Sequence, residues 1–483
     1  MTTCARDHIY FDGQWRRPGG SDSIAVDAAA TGRVIADIPV ATPDDVDAAV
    51  RSARAAFQDW ASTPLERRLL LLAGLREKLS SRADELAALI STEVGTPIRV
   101  SEAVQVGLPL RTLASLPSLI EAVPVEEQVG ESIVWREPIG VVAAITAWNY
   151  PLQQVLGKVG AALATGCTVV LKPSEVAPLS AFLVAEMVDE VGFPAGVFNL
   201  VSGPGAVVGE PLVAHPDVDM ITLTGSTAAG RRIGEVAART VKRTTLELGG
   251  KSANVLLEDA DLERAVKVGV ANCFTNSGQT CTALTRMLVP ADALAEVEEL
   301  VAARLRGYHL GDPLDRATSM GPLATAAQRD RVVGYIRTGL AEGTTLLHGG
   351  PEPPEDLAEE VAGGYFVRPT AFSRVRPDSV IATDEIFGPV LSLIPYRSED
   401  EAVAIANNSI YGLAGAVWSR DLDHATRVAR RLRTGAVDIN GSYFNPLAPF
   451  GGYKQSGVGR ELGTYGVNEF YELKAVRLPG GAS

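Results

Sequence analysis

Cysteine is scarce in this chain: Cys4, Cys167, Cys273 and Cys281 are the only four among 483 residues. With no Cys-x-x-Cys pair and no Cys/His cluster, they exclude a disulfide scaffold and a zinc site. Basic runs are missing as well. Lysine and arginine never run longer than a pair, and 44 basic against 58 acidic residues leave a net charge of −14. That excludes the positive face a nucleic-acid partner needs. Long apolar runs are also lacking. The clean run Val141–Ile145 falls far short of the roughly 20 residues that span a bilayer, so no membrane is expected. No apolar stretch follows Met1, so no secretory leader is expected and a reducing cytoplasm is. In that compartment a thiol is free to be chemical rather than structural.

What is present is globular: 46% apolar and 21% charged residues, in a chain long enough for more than one domain. Residues 45–95 read as helices, one opened by Asp44-Asp45 and the next by Pro64-Leu65. From residue 139 the texture changes to short apolar strands alternating with helices. Strands are expected at 139–145, 168–171, 197–201, 220–223, 245–248 and 253–257. Pro151 opens a helix that Gly166 closes, and further helices fill 180–191 and 227–239. Such alternation means right-handed βαβ units and a mostly parallel sheet. A second alternating block begins near 251, where Asp261 caps a helix over Leu262–Phe274. Strands follow near 283–289, 390–395 and 435–439. The expected class is therefore α/β, with two doubly wound domains divided near 250. Residues 118–138 fit neither block, and Val123–Val134 alternates weakly, like an extended hairpin. The tail Pro479–Ser483 reads as frayed.

Ligands of open α/β sheets sit beyond the carboxyl ends of the strands. Here those ends carry Trp148-Asn149-Tyr150-Pro151, Lys172-Pro173-Ser174-Glu175, Thr224-Gly225-Ser226-Thr227 and Glu247 before Gly249-Gly250-Lys251. Gly225-Ser226 opens a helix whose backbone N–H groups suit a pyrophosphate. The glycine-rich Gly203-Pro204-Gly205 reads as a turn and helix start. Lys172 and Glu175 suit the hydroxyls of a ribose, and a carboxylate there repels a 2′-phosphate. Glu247 is costly in an apolar strand unless it has a role. Cys281 lies in the polar stretch Asn276–Ala283 behind an apolar helix, where a loop can present its sulfur. Cys167 and Cys273 read as core filling. The five histidines fall in none of these segments.

Together with Leu246-Glu247-Leu248-Gly249-Gly250-Lys251, Gly278-Gln279-Thr280-Cys281, Glu385-Ile386-Phe387-Gly388-Pro389 and Pro449–Gly457, these motifs resemble the NAD(P)-dependent aldehyde dehydrogenase family. They run from about residue 146 to 460 in the family's order, and the similarity covers nearly the whole chain. The resemblance implies that Cys281 is the nucleophile, that Asn149 helps hold the oxyanion and that Glu247 is the general base. It implies proton-relay roles for Lys158 and Glu472. NAD, in preference to NADP, would be bound by Thr146, Ala147, Trp148, Lys172, Ser174, Glu175, Gly205, Gly225, Ser226, Leu248, Gly249, Glu385 and Phe387. The cofactor domain would comprise residues 1–117 and 139–249, the catalytic domain 250–449, and a connecting segment 450–465. Residues 118–138 and 466–483 would form the arm of a homodimer or homotetramer.

The chain departs from the family's pattern in places. Ala147 stands where proline is common. Gln154 and Gly157 replace larger apolar or aromatic side chains, and Thr275 stands where an aromatic is common. Tyr150, Phe444 and Phe450 remain as aromatic walls. These six pocket positions, 150, 154, 157, 275, 444 and 450, imply a wide, slightly polar mouth for a bulky or moderately polar aldehyde. No arginine sits among them, which leaves Arg286 or Arg420 as sources of charge for a dicarboxylic semialdehyde. Two alternatives differ in class. A coenzyme-A-acylating enzyme is opposed by Glu247, and a catalytically silent relative is opposed by Cys281, Asn149, Glu247 and Glu385.

Overall fold

The computed structural model describes residues 4–478. The tail Pro479–Ser483 lies outside them.

One sheet has eight strands. Its centre is parallel, in the spatial order Arg243–Glu247, Met220–Thr224, Val141–Ile145, Thr168–Lys172, Phe198–Leu200. Val141 through Ala144 and Val169 through Leu171 are fully buried, as strands covered by helices on both faces must be. The chain runs from Val141–Ile145 outward to one side and then returns to the other through Met220–Thr224. The strand order therefore reverses beside Val141–Ile145, which opens a crevice at its carboxyl end. The helix Pro151–Thr165 leaves that crevice with proline in its first turn and ends at Gly166, φ +100°.

A second sheet has seven strands, in the order Thr345–His348, Thr370–Ser373, Val390–Tyr396, Arg286–Pro290, Ala253–Leu256, Ala414–Trp418, Ala436–Ile439. All neighbours are parallel except the first pair. A three-stranded sheet is formed by Glu126–Val129, Ser132–Pro138 and Tyr471–Arg477, all antiparallel.

Two boundaries and several short strands differ from the sequence reading. Residues 118–121 continue the helix Gly107–Glu121, so the hairpin begins only at Glu126. The segment 450–465 is more than a connection: Gly457–Val458 pairs antiparallel with Leu246 and Glu247 at the edge of the first sheet. The short strands Ile9–Phe11 and Gln14–Arg16 extend its other edge, and Ser23–Ala28 and Arg33–Pro39 pair with each other. These carry too few apolar residues in alternation to announce themselves. One helical run, Ile98–Glu121, has 24 residues and a mean hydropathy of 1.2, enough by length and composition to cross a membrane. Leu113, Leu116 and Ile120 of this run are buried in the same core as Leu75 and Val159.

Candidate active site

The carboxyl ends of the first sheet face the amino ends of the second. Trp148-Asn149 follows Val141–Ile145, Gly225-Ser226 follows Met220–Thr224, and Glu247 is the last residue of its strand. From the other side, Gly249-Gly250 precedes Ala253–Leu256, Cys281 precedes Arg286–Pro290, and Glu385–Phe387 precedes Val390–Tyr396. Between them lies a cavity of about 690 Å³, lined by Cys281, Asn149, Glu247 and every residue the sequence assigned to cofactor binding.

The loop that carries Cys281 is held in an unusual backbone. Asn276 (φ +53°), Ser277 (φ +57°) and Gly278 (φ +74°) are consecutive left-handed residues. The two non-glycines cost on the order of 1 kcal/mol each, and persist only because packing over-determines them. Ser277 Oγ donates to Gly321 O at 2.8 Å. Asn276 Nδ2 donates to Asn149 O at 2.9 Å, and its Oδ1 accepts from Thr96 at 2.5 Å. Gln279, fully buried, donates to Asn276 O and accepts from Ala324 N–H. A side chain at Gly278 would meet Gly388 O at 2.2 Å, so the loop is fitted to the Glu385–Pro389 segment. These amides end in Cys281, partly exposed to the cavity. Burial, with the Glu385 and Glu247 carboxylates nearby, pushes its thiol up to about 12. It rests as a protonated thiol.

Asn149 is 4% exposed. Its Nδ2 donates to Gln279 O at 2.9 Å, which leaves a second N–H free. Glu247 is 2% exposed, and neither carboxylate oxygen has a partner. Burial, then repulsion by Glu461, holds its carboxyl well above the usual range, while Lys158 and Arg460 oppose the shift. Lys158 Nζ donates to Thr224 Oγ1 at 2.7 Å and pairs with Glu461.

Here the sequence reading of Glu472 is corrected. Glu472 lies on the exposed strand Tyr471–Arg477 and pairs with Arg243 at 3.0 Å. The carboxylate that meets Lys158 and acts on Glu247 is Glu461, in Gly459-Arg460-Glu461-Leu462-Gly463. Its backbone is locked to Phe450 by two 2.7 Å hydrogen bonds. A charged pair between glycines, just after the last quoted motif, was the signal available.

At the other end of the cavity Lys172 is buried, donating to Pro173 O at 2.8 Å and facing Glu175 at 3.4 Å. Ser226 caps the helix Thr227–Ala238. Val213, Ile233 and Val236 supply an apolar wall, and Glu210 accepts from Arg232 Nε and Nη2, one edge of the guanidinium. This donor set fits a dinucleotide: a flat apolar slot, hydroxyl partners, and a helix start. Nearer Cys281, Gly250 N–H donates to Glu385 Oε1 at 2.9 Å, and Trp148 meets Phe387 edge-on at 5.4 Å. Phe387 is itself left-handed (φ +62°). Gln328 and Arg331, which the sequence did not single out, hold the carbonyls of Phe387 and Glu385 at 2.8 and 2.7 Å.

The six expected pocket residues do not line this cavity. Tyr150 OH meets Thr280 at 2.8 Å, and Phe444 packs edge-on against Phe450 at 5.9 Å. Thr275 turns its hydroxyl back to Ala271 O. A Cβ at Gly157 would meet only the Gln153 amide, at 3.7 Å, so space is open there. Gln154 is a second correction. It is 9% exposed and turns inward onto Asn149 and Ala147 rather than facing a mouth. Arg286 is buried, and its guanidinium is spent on the carbonyls of Lys251, Ile405 and Ala406. It is not free to meet a substrate carboxylate. Cys167 and Cys273 are fully buried core residues, as expected.

Comparison with known proteins agrees with this geometry. The model of the aldehyde dehydrogenase family matches residues 15–476. The chain is 50% identical over 474 residues to a 3-succinoylsemialdehyde-pyridine dehydrogenase from a Pseudomonas species, covering 97% of this chain and 98% of that one. A Pseudomonas syringae aldehyde dehydrogenase C variant, solved with NAD+ and octanal, superposes with a TM-score of 0.96 at 47% identity, covering 98% of each chain. A Mycobacterium tuberculosis aldehyde dehydrogenase solved with NAD+ gives 0.96 at 42%, covering all of both. The chain belongs to the aldehyde dehydrogenase family and is an oxidoreductase of the aldehyde group.

Proposed function

We propose that the chain oxidises a bulky or moderately polar aldehyde to its carboxylic acid with NAD+ as acceptor. The observation that carries this reading is the meeting of Cys281, Asn149 and Glu247 on one cavity with Lys172, Glu175 and the Gly225-Ser226 helix start. When bound, NAD+ supplies the hydride acceptor. The chain's own residues do the rest. Cys281 Sγ gives its proton to Glu247, which relays it past Lys158 and Glu461 toward solvent, and the thiolate adds to the carbonyl carbon to form a thiohemiacetal. The free Nδ2–H of Asn149 and the Cys281 N–H stabilise the oxyanion. Oxidation leaves a thioester on Cys281. Glu247 then takes the proton of the water that adds to the thioester carbon and passes it toward Lys158 and Glu461, as the C–S bond breaks to release the acid and the Cys281 thiolate.

The substrate class is supported by the open space at Gly157. The names of two relatives agree: one enzyme's semialdehyde carries a pyridine, and the other's structure holds octanal. NAD+ over NADP is supported by two carboxylates at the ribose end, Glu175 and Glu210, with Arg232 already neutralised by Glu210. The three-stranded arm is proposed to join subunits into a homodimer or homotetramer, and the location to be cytoplasmic.

The deciding experiment is Cys281→Ser. It should bind NAD+ as the parent does and form no NADH with any aldehyde. Aldehyde-dependent NADH from that variant would reject the mechanism. A parent that binds NAD+ yet is inert across aliphatic, aromatic and amino-aldehydes would favour a silent relative, and a coenzyme-A thioester product would favour the acylating alternative.

A further inference from the structure

We infer that Gln154 fixes which way round the Asn149 carboxamide sits, and so ties the oxyanion hole to the Thr146–Trp148 loop. The inference rests on the reading of Asn149 as the oxyanion donor. A carboxamide has two orientations that fill the same space, and turning it exchanges a donor for an acceptor. Only one of the two presents an N–H to a developing oxyanion.

The hydrogen-bond chain around Asn149 removes that freedom. At one end is Gln279 O, a carbonyl that only accepts; it takes an N–H from Asn149 Nδ2 at 2.9 Å. At the other end is Ala147 N–H, which only donates; it gives to Gln154 Oε1 at 2.6 Å. Between them Gln154 Nε2 donates to Asn149 Oδ1 at 2.8 Å. A backbone donor at one end and a backbone acceptor at the other leave each amide a single satisfied orientation. Asn149, Gln154 and Gln279 are all buried, and of the three only Asn149 touches the cavity.

This accounts for a polar residue on the buried side of an apolar helix. It also makes residues 147 and 154 one unit. Gln154 needs an N–H at position 147, and a proline there would have none. With an apolar side chain at 154, Asn149 Oδ1 and Ala147 N–H both lose their partner, and the carboxamide is held from one side only. Gln154 is a positioning residue: it acts through Asn149.

The test uses the full chain with saturating NAD+ and an aldehyde on which the parent is active. Gln154→Met keeps the shape and removes both hydrogen bonds, whereas Ala147→Pro keeps the glutamine and removes its donor. Each should slow the single-turnover burst of NADH by about 10- to 100-fold; for Gln154→Met, whose side chain lies outside the cofactor cavity, the NAD+ dissociation constant should be unchanged. The double variant should be no slower than the slower single, because both break one chain. Gln154→Glu covers the case in which either variant fails to fold. Protonated, it can still accept from Ala147 and donate to Asn149; ionised, it cannot donate. Its burst should fall as pH rises, opposite to the parent. A Gln154→Met burst within about twofold of the parent, effects that multiply in the double, or a Gln154→Glu profile parallel to the parent would each overturn the inference. No aldehyde-dependent NADH from the parent itself would overturn the oxidation reading, and this one with it.

Discussion

Glu247 is buried, unpartnered and pulled in opposite directions by two neighbours, which makes its titration adjustable. A base must be ionised to act, so thioester hydrolysis should rise with pH as Glu247 loses its proton. Glu461 raises the Glu247 carboxyl by like-charge repulsion and Lys158 lowers it. Glu461→Gln should therefore move the acidic limb of steady-state turnover to lower pH, and Lys158→Met should move it to higher pH. Limbs that stay in place, or move the other way, would remove this pair from the base's surroundings. At Gly157 the space beyond the backbone is open. Gly157→Trp should lower kcat/KM for bulky aldehydes at least about tenfold and spare small ones, since a filled pocket rejects size. Equal losses on both would reject the open-mouth reading. At this scale the sequence was legible in position: Cys281, Asn149, Glu247, Lys172 and Glu175 all reach the one cavity that their motifs anticipated. It misled at Glu472 and Gln154. A side chain's direction and its partner across the fold are not written in local spacing.

Among the elements, the helix Leu179–Val191 starts on a buried carboxyl. Leu179 N–H donates to Glu93 Oε1 at 3.0 Å, while Oε2 has no partner. Burial raises the Glu93 carboxyl to about 8. A carboxyl whose folded pKa lies above its unfolded value keeps its proton in the folded state while the unfolded chain releases it. Stability is therefore lost as pH rises from about 4.5 to about 8. Glu93→Gln keeps the acceptor for Leu179 and removes the titration. Its unfolding free energy, read by denaturant titration, should match the parent below about pH 4.5 and exceed it increasingly toward pH 8.5, by on the order of a few kcal/mol. A difference that does not change with pH would contradict this. The strands of the sheet centres were legible because burial on both faces demands unbroken apolar runs. The edge strands Ile9–Phe11, Gln14–Arg16 and Gly457–Val458 were not, because a strand of two or three residues leaves no period to read.

Over the whole molecule, the arm sheet leaves a long edge unpaired. Among the described residues, Tyr471–Arg477 hydrogen-bonds to Ser132–Pro138 on one side only, and Leu473 is 63% exposed. Exposed edges of this kind are covered in stable proteins. If the arm joins subunits, deleting residues 471–483 should reduce the mass in solution to that of a monomer, read by light scattering. An unchanged mass would place the interface elsewhere.

By itself the sequence determined the α/β class and the strand-end positions of Asn149, Lys172, Gly225 and Glu247. Each of these follows from residue type and local periodicity. Only the tertiary structure decided that the carboxyl ends of one sheet face the amino ends of the other. That brings Cys281, from a loop entering a strand, beside Asn149 and Glu247, which lie where strands end. It likewise chose Glu461 over Glu472 as the partner of Lys158, and turned Gln154 inward onto Asn149. These are contacts between distant segments, set by how the two sheets pack rather than by any pattern along the chain.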